Sequence, residues 1–552
     1  MYFHIVLYTY FSNWDGGSIM KSQKSFNFKK VTLYGMSAAS LLSLSLLLSN
    51  SSDEVGAEEE FSFPILQTTK AENVEGKHYL ASTVENIQWG SLPNRDSKPV
   101  MSISSGSTIT IDAVSHEGIL EDQGRDPVEY FGKHGVAENQ VLKEAIDIAK
   151  SDIDHDFANH GPHVVTGPIA IEGAEPGDVL KVEVLSLTPR VPYGVISNRH
   201  YKGALPGEFP ENEGPLEGAS SEHPELYNNV STFTPLERIN DKYYGVLPIE
   251  SGGEVRFPIQ PFMGLMGVAP DTSEFVNSIP PIETGGNIDI NELGVGSTLY
   301  LPVQVKDALF FTGDPHFAQG DGEVALTAWE ASLRATFRLT VIKPGDPSYP
   351  RKEILTQPFA ETEDYWIPIG LDPDLDEAMK ESVRESVGFL TERLGMDRAT
   401  ALAYLSAATD YEVSQVVDKT KGIHALVNKK HFIDNLELKV LVDKKEIDSA
   451  VINDDFYVSV DALTKILGGT VQGDLEKGTV TSTINQEKIT FQAKSNIYII
   501  NDKEIYNSSI PVIKDDQMYI PIKVVKEILG AKVNWTTSDK TLIANVTHNT
   551  KE

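Results

Sequence analysis

From His78 to Val341 apolar and polar residues alternate in short runs, the two-residue period of half-buried strands. The alternation is plainest in Ser107–Asp112, Leu180–Leu185 and Leu333–Val341. Pro- and Gly-rich turns separate these runs, so this part of the chain predicts a mainly β body, sandwich or barrel-like. His155–Gly161 and His200–Leu226 are predicted polar loops, and the second is long enough to shape a site. The period then lengthens. In Leu375–Leu394 apolar residues fall at helical spacing (Ala378, Met379, Val383, Val387, Leu390, Leu394), and Arg398–Ala408 predicts a second helix. Asp372, Asp374 and Asp376 read as acids favoured by a helix N-terminus rather than as a calcium loop.

Beyond Phe432 the pattern repeats itself. Val442–Ile447 recurs as Asn501–Ile505, and Tyr457–Val471 recurs as Tyr519–Val533. Each unit predicts strand, turn, strand, a short helix closed by Gly468 or Gly530, and a hairpin. Units of about 50–60 residues are marginal alone, so the two should pack together as one α+β domain.

One segment breaks the strand pattern in a chemically pointed way. Gly313–Glu323 packs Asp314, His316, Gln319, Asp321 and Glu323 between the apolar stretches Leu299–Phe311 and Val324–Trp329. Such a run is either a solvated Gly-rich hairpin or a site. Charges held between core segments need a partner, and a divalent cation suits carboxylate and imidazole together. His316 is the first candidate ligand, with Asp314 two residues before it. Asn287 and Asp289 follow a Gly-Gly turn that admits close backbone approach, which makes them further candidate ligands. Glu323 is a candidate for either ligand or general base, Asp321 for proton transfer, and Gln319 for substrate contact.

The chain contains no cysteine, which excludes disulfides, thiolate metal sites and a cysteine nucleophile. Ile103–Ser107 is the nearest approach to a Gly/Ser-rich serine-nucleophile signature and reads better as a turn between strands.

Four further stretches, Gly161–Asp178, Pro261–Pro270, Gly285–Asp289 and Thr327–Glu330, together with the Gly313–Glu323 run, resemble the acetamidase/formamidase family in the family's own order. Ser115–Gly124, Tyr193–His200 and Gly203–Glu208 resemble its longer-loop members, and the likeness runs from about His78 to Phe432. It implies a metal-dependent hydrolase of linear amides such as formamide or acetamide, with a homo-oligomeric state. Mixed oxygen and nitrogen donors favour zinc over calcium, and a carboxylate-dominated set would reverse that. The matching motifs also bring in His116 as a ligand candidate, the adjacent Glu117, His163 as a catalytic one, and Arg199 and His200 as groups that could orient substrate. Phe317 departs from the small residue usual after the histidine, and the expectation is a narrowed pocket. The alternatives are hydrolysis of another carbon–nitrogen bond, or a non-catalytic wall-binding protein that has kept the sandwich.

The repeat after Phe432 resembles the copper-amine-oxidase N-terminal-like domain. Copper is not implied, because residues 433–552 hold one histidine, His548. The resulting organisation is an upstream segment and signal peptide (1–57), a linker (58–77), the amidase-like body (78–432) and an accessory domain (433–552) for wall polymer or a partner protein.

Formal net charge is −33, and from Lys421 to Glu552 there are 17 lysines against 18 carboxylates, so nearly all the acidity lies in the body. Such a surface repels nucleic acid and suits neutral or cationic small molecules. Met20–Lys30 is basic, Val31–Leu48 apolar, and Val55–Ala57 offers a small-residue cleavage site, which together predict export of a bacterial protein, secreted or wall-associated.

Overall fold

The computed structural model describes residues 63–547, apart from 240–241, 436, 453–454, 476, 485–486, 496, 502, 507–509, 530 and 539–540. The expected signal segment, Gly530 and His548 therefore lie outside the described residues. The body is a β-sandwich. One sheet has nine strands, running in the order 78–80, 107–112, 333–342, 179–189, 298–302, 359–361, 365–372, 421–428 and 410–415. The other has eleven and is centred on Phe310–Ala318, which pairs with Phe262–Val268, Trp329–Glu330 and Val164–Glu172.

The apolar faces of the two sheets meet in one core. In Leu333–Ile342, Leu333, Ala335, Phe337 and Leu339 point inward, while Arg334 points out and pairs with Asp112 at 2.6 Å. Phe262–Val268 is buried on both faces and so reads as an unbroken apolar run with no alternation. The Gly313–Glu323 run is not a hairpin: Gly313–Ala318 is the C-terminal part of the central strand Phe310–Ala318, and only Gln319–Glu323 forms a turn.

Both predicted helices form as Leu375–Leu394 and Arg398–Ala408. Asp374 and Asp397 cap them, each accepting from two backbone N–H groups of the first turn. The buried face of the first helix differs from the apolar count. Ser382 and Ser386 are buried and Met379 is not. The hydroxyls are satisfied on Pro368 O and Ser382 O, and small side chains let the helix lie close over Gly370, where a Cβ would collide with its backbone.

The tail forms the duplicated α+β unit, with helices Val460–Ile466 and Ile522–Leu529. Its halves interlock: Glu437–Val442 pairs in parallel with the last strand, and Asp455–Ser459 pairs with Gln517–Pro521.

Candidate active site

Strand pairing brings His316 opposite Phe262 and Glu330, and the segments carrying His116, His163, Asp289, Glu323 and Asp418 converge on the same spot. His316 Nε2 stands 3.0 Å from Glu330 Oε1 and 3.1 Å from Asp314 Oδ2. His116 Nδ1 lies 3.5 Å from Asp314 Oδ1, and His163 Nε2 lies 3.7 Å from Asp314 Oδ2. Asp289, His316 and Glu323 form a further group whose ligand atoms fall within 4.8 Å of one another. Asp418 joins through Asn287, whose Nδ2 donates to Asp418 Oδ2 at 2.8 Å and to Ile279 O at 3.1 Å. All these side chains are buried.

The space they share is created by a missing side chain. A Cβ on Gly264 would collide with Asp289 Oδ1 and lie 2.6 Å from His316 Cε1 and 2.8 Å from Asp314 Oδ2. The backbone is bent to suit. Asp289, Asp314 and Glu323 have φ of 47°, 51° and 47°, in the left-handed region. Such conformations cost on the order of 1–3 kcal/mol each, least for Asp, and persist only where the surroundings over-determine them.

The polar atoms are poorly satisfied by one another. Both nitrogens of His116 and of His316, both oxygens of Asp289, and Asp314 Oδ1, Glu323 Oε2 and Glu330 Oε2 are buried without a hydrogen bond. The close approaches at His316 lack hydrogen-bond alignment, as when several donor atoms aim at a common point. Burial disfavours charge on His316, yet Glu330 and Asp314 outweigh it and hold the imidazole well above its usual range. Burial, with Asp314 added, pushes Glu330 up to about 7. Burial chiefly lifts Asp418 to about 7, and burial with Asp418 lifts Glu323 well above the carboxylate range. Five carboxylates facing three imidazoles make a set that fits a divalent cation: its orphaned atoms are ligand atoms, and its nitrogens and oxygens are mixed.

His163 is better placed as a ligand than as a catalyst. Its Nδ1 meets Ser278 Oγ at 2.9 Å and Ser278 O at 3.1 Å; the carbonyl can only accept, and in the tautomer that satisfies it Nδ1 carries the proton and Nε2 turns a lone pair toward Asp314. Burial holds this imidazole neutral, down to about 4. Arg199 lines the cavity, but its guanidinium is engaged with Glu117 at 2.9 Å and Asp122 at 2.6 Å. It braces Glu117, which in turn stands 3.4 Å from His116 Nε2.

Four expectations are corrected. Asp321 faces outward, accepting from Asn291 Nδ2 at 3.0 Å, and does not line the cavity. Gln319 is a brace, with Nε2 donating to Asp289 O and Ser414 O at 3.0 Å each. His200 holds its own loop through Asn228 O at 3.0 Å. Phe317, one residue from His316, points to the opposite face and packs edge-on against Trp329 at 5.1 Å in the core, so it narrows nothing. Glu330 and Asp418 were missed. Glu330 was visible as a lone acid in the apolar stretch Ala328–Ala331, whereas Asp418 sits in a polar turn and gave no signal.

The cluster floors a cavity of about 350 Å³, walled also by Leu120, Phe157, Ile279, Leu326 and Thr327. Comparison with known proteins adds relatives to this geometry. The model of the Acetamidase/Formamidase family matches residues 138–278 and 272–428, and that of the Copper amine oxidase N-terminal domain matches 441–544. A formamidase of Methylophilus methylotrophus is 30% identical over 252 residues, 40% of this chain and 61% of the relative. An acetamidase of Mycolicibacterium smegmatis is 26% identical over 199 residues, 29% of this chain and 49% of the relative. The chain thus spans about half to three fifths of the curated relatives it matches. An acetamidase structure from Bacillus halodurans is 25% identical, with a TM-score of 0.48, covering 64% of this chain and 99% of that one. With its family match running from residue 138 to 428, the chain belongs to the acetamidase/formamidase family.

Proposed function

We propose that this protein is a metal-dependent amidohydrolase that cleaves linear amides of the formamide and acetamide type to carboxylate and ammonia. The observation that carries this reading is the buried set of His116, His163, His316, Asp314 and Asp289 beneath a cavity, in a chain of this family. Those side chains, with Glu330, would hold the cation, and three imidazoles among the donors favour zinc over calcium. When bound, the cation supplies Lewis acidity and a lowered pKa for water.

The chain's own residues do the rest. Glu323 keeps one buried oxygen, Oε2, free of hydrogen bonds beside the cavity, placed to take a proton from water and return it to the leaving nitrogen. Asn287 fixes Asp418, Arg199 fixes Glu117, and the apolar wall excludes bulk water. A chain kept only for wall binding would have no reason to retain unpaired buried charge, which is costly. The cavity exceeds what formamide fills, and its apolar wall supports a second reading in which a larger amide, or another carbon–nitrogen bond, is the substrate. The duplicated tail is proposed to attach an exported enzyme to wall polymer or a partner.

The test is ammonia release by the full chain, stripped with chelator and reloaded with ZnCl2 or CaCl2. Release from formamide or acetamide only after reloading supports the proposal. No release from either amide in either salt sinks it.

A further inference from the structure

We propose a second divalent-cation site, outside the cavity, formed by Glu292, Glu412 and His424 with Asp321 at its rim. His424 is fully buried on the strand Lys421–Asn428, and its Nε2 lies 3.1 Å from Glu292 Oε2 and 3.7 Å from Glu412 Oε2. Neither His424 Nε2 nor Glu292 Oε2 has a hydrogen bond, although both are buried. Two such atoms this close and unaligned are aimed past each other at a shared point. Metal–ligand bonds of about 2.0–2.2 Å at tetrahedral or octahedral angles place ligand atoms about 2.8–3.6 Å apart; the 3.1 Å separation falls inside this range and the 3.7 Å one closes into it with a small shift of the part-exposed Glu412.

The other imidazole nitrogen completes the pattern. His424 Nδ1 is 2.8 Å from Ser414 Oγ, a hydroxyl able to accept; in the tautomer whose Nδ1–H donates to it, Nε2 presents a lone pair to the cluster. Asp321, oriented by Asn291, lies beside Glu412 and adds a third carboxylate on the open side. Glu412 is about a third exposed, so water can complete the coordination shell. One nitrogen with several carboxylates suits a zinc- or manganese-type ion.

The position of this cluster gives it a role. Glu292 follows Asp289 by three residues, Asp321 precedes Glu323 by two, and Glu412 lies on the strand Asp410–Gln415 that leads to Asp418. Each outer carboxylate therefore sits on a segment that delivers one acid of the inner site. The protein already ties these segments together: Gly322 N donates to Ser414 O at 3.2 Å, and Gln319 bridges Asp289 O to Ser414 O. An ion here fastens the three acid-bearing loops from outside, a positioning role rather than a catalytic one.

The experiment uses the full chain, stripped with EDTA and dialysed in parallel against ZnCl2, MnCl2 or CaCl2, with bound metal counted by mass spectrometry. Wild type should carry one more equivalent than His424→Gln or Glu412→Gln in the zinc or manganese arm. In a His316→Ala background, which weakens the inner set, added ZnCl2 should still raise the melting temperature, and adding His424→Gln should abolish that rise. This separates the outer site from the inner one, so amidase activity need not be present for the test to succeed. Glu292→Gln, on a partly exposed side chain, replaces His424→Gln if that variant does not fold. Equal metal content in wild type and variants in all three salts overturns the proposal.

Discussion

The sandwich body and the duplicated tail are both β-rich and built round apolar cores, yet they bury different polar groups. Among the described residues the buried polar groups of the tail are hydroxyls: Ser459, Thr464 and Ser482. Each has a hydrogen bond, as in Ser459 Oγ to Gln517 Oε1 at 2.9 Å and Thr464 Oγ1 to Val460 O. The body buries a charged constellation many of whose atoms remain unpaired, with three of its acids on left-handed backbone. Polar burial of the first kind is nearly neutral for stability, whereas the second kind costs several kcal/mol. The difference teaches where to look for chemistry: not where polar residues are most numerous, but where they are buried and unsatisfied.

The most damaging test of this contrast is His316→Ala in the body. On the proposed function, amide turnover should fall at least about 10²-fold while far-UV circular dichroism stays unchanged, because the deleted imidazole would be a ligand of the cation. Unaltered turnover would reduce the cluster to a structural ion-pair network.

Gly264→Ala probes the same site through space alone. The new Cβ must displace Asp289 or His316, and turnover should fall about 10²-fold with little loss of secondary structure. A fully active variant would mean that this tight packing around the glycine does not matter.

Body charge that is properly paired should behave differently. Glu361 accepts from Lys429 Nζ at 2.8 Å and from Tyr300 Oη at 2.7 Å. Burial opposes its ionisation, but Lys429 outweighs this and holds the carboxyl below its usual range. The pair therefore adds stability above the unfolded carboxyl's pKa, and that stability drains away as pH falls toward the depressed folded value. Glu361→Gln should cost about 3 kcal/mol at pH 7 in urea denaturation, with the gap from wild type closing in acid. A gap that stays constant down to pH 3 would show that the pair is not ionised.

Smaller effects are expected where packing alone is at stake. Phe317→Leu should cost about 1 kcal/mol and leave the formamide-to-acetamide rate ratio untouched, since the ring packs on Trp329 in the core. A changed ratio would restore its place in the pocket. In the tail, Ser459 caps the helix Val460–Ile466 by accepting from Ala462 N. Ser459→Ala should cost about 1 kcal/mol there and leave turnover unchanged. Any coupling to turnover would join tail and body functionally.

Much of this was legible in the chain. The strands Ser107–Asp112 and Leu333–Ile342 and both body helices follow from period alone. Asp314 and His316 were legible as charge inside an apolar stretch, and Asp289 through its preceding glycines. Gln319 and Asp321 share that stretch with Glu323, yet only Glu323 reaches the cavity. Sequence distance did not separate them, because a tight turn sends successive side chains in different directions. His116, His163 and Asp418 lie far apart in sequence, and only strand pairing and loop closure bring them to one place.

The sequence by itself determined the periodicities, the duplicated tail, the charge asymmetry, and which residue types were available for chemistry, because these are local or compositional properties. The tertiary structure alone decided which acids converge, that Gly264 makes room for them, and that Phe317 turns away into the core. It also decided that His424 faces Glu292 across a second cluster. Those are matters of register and of close approach between segments distant in sequence, on which spacing along the chain carries no information.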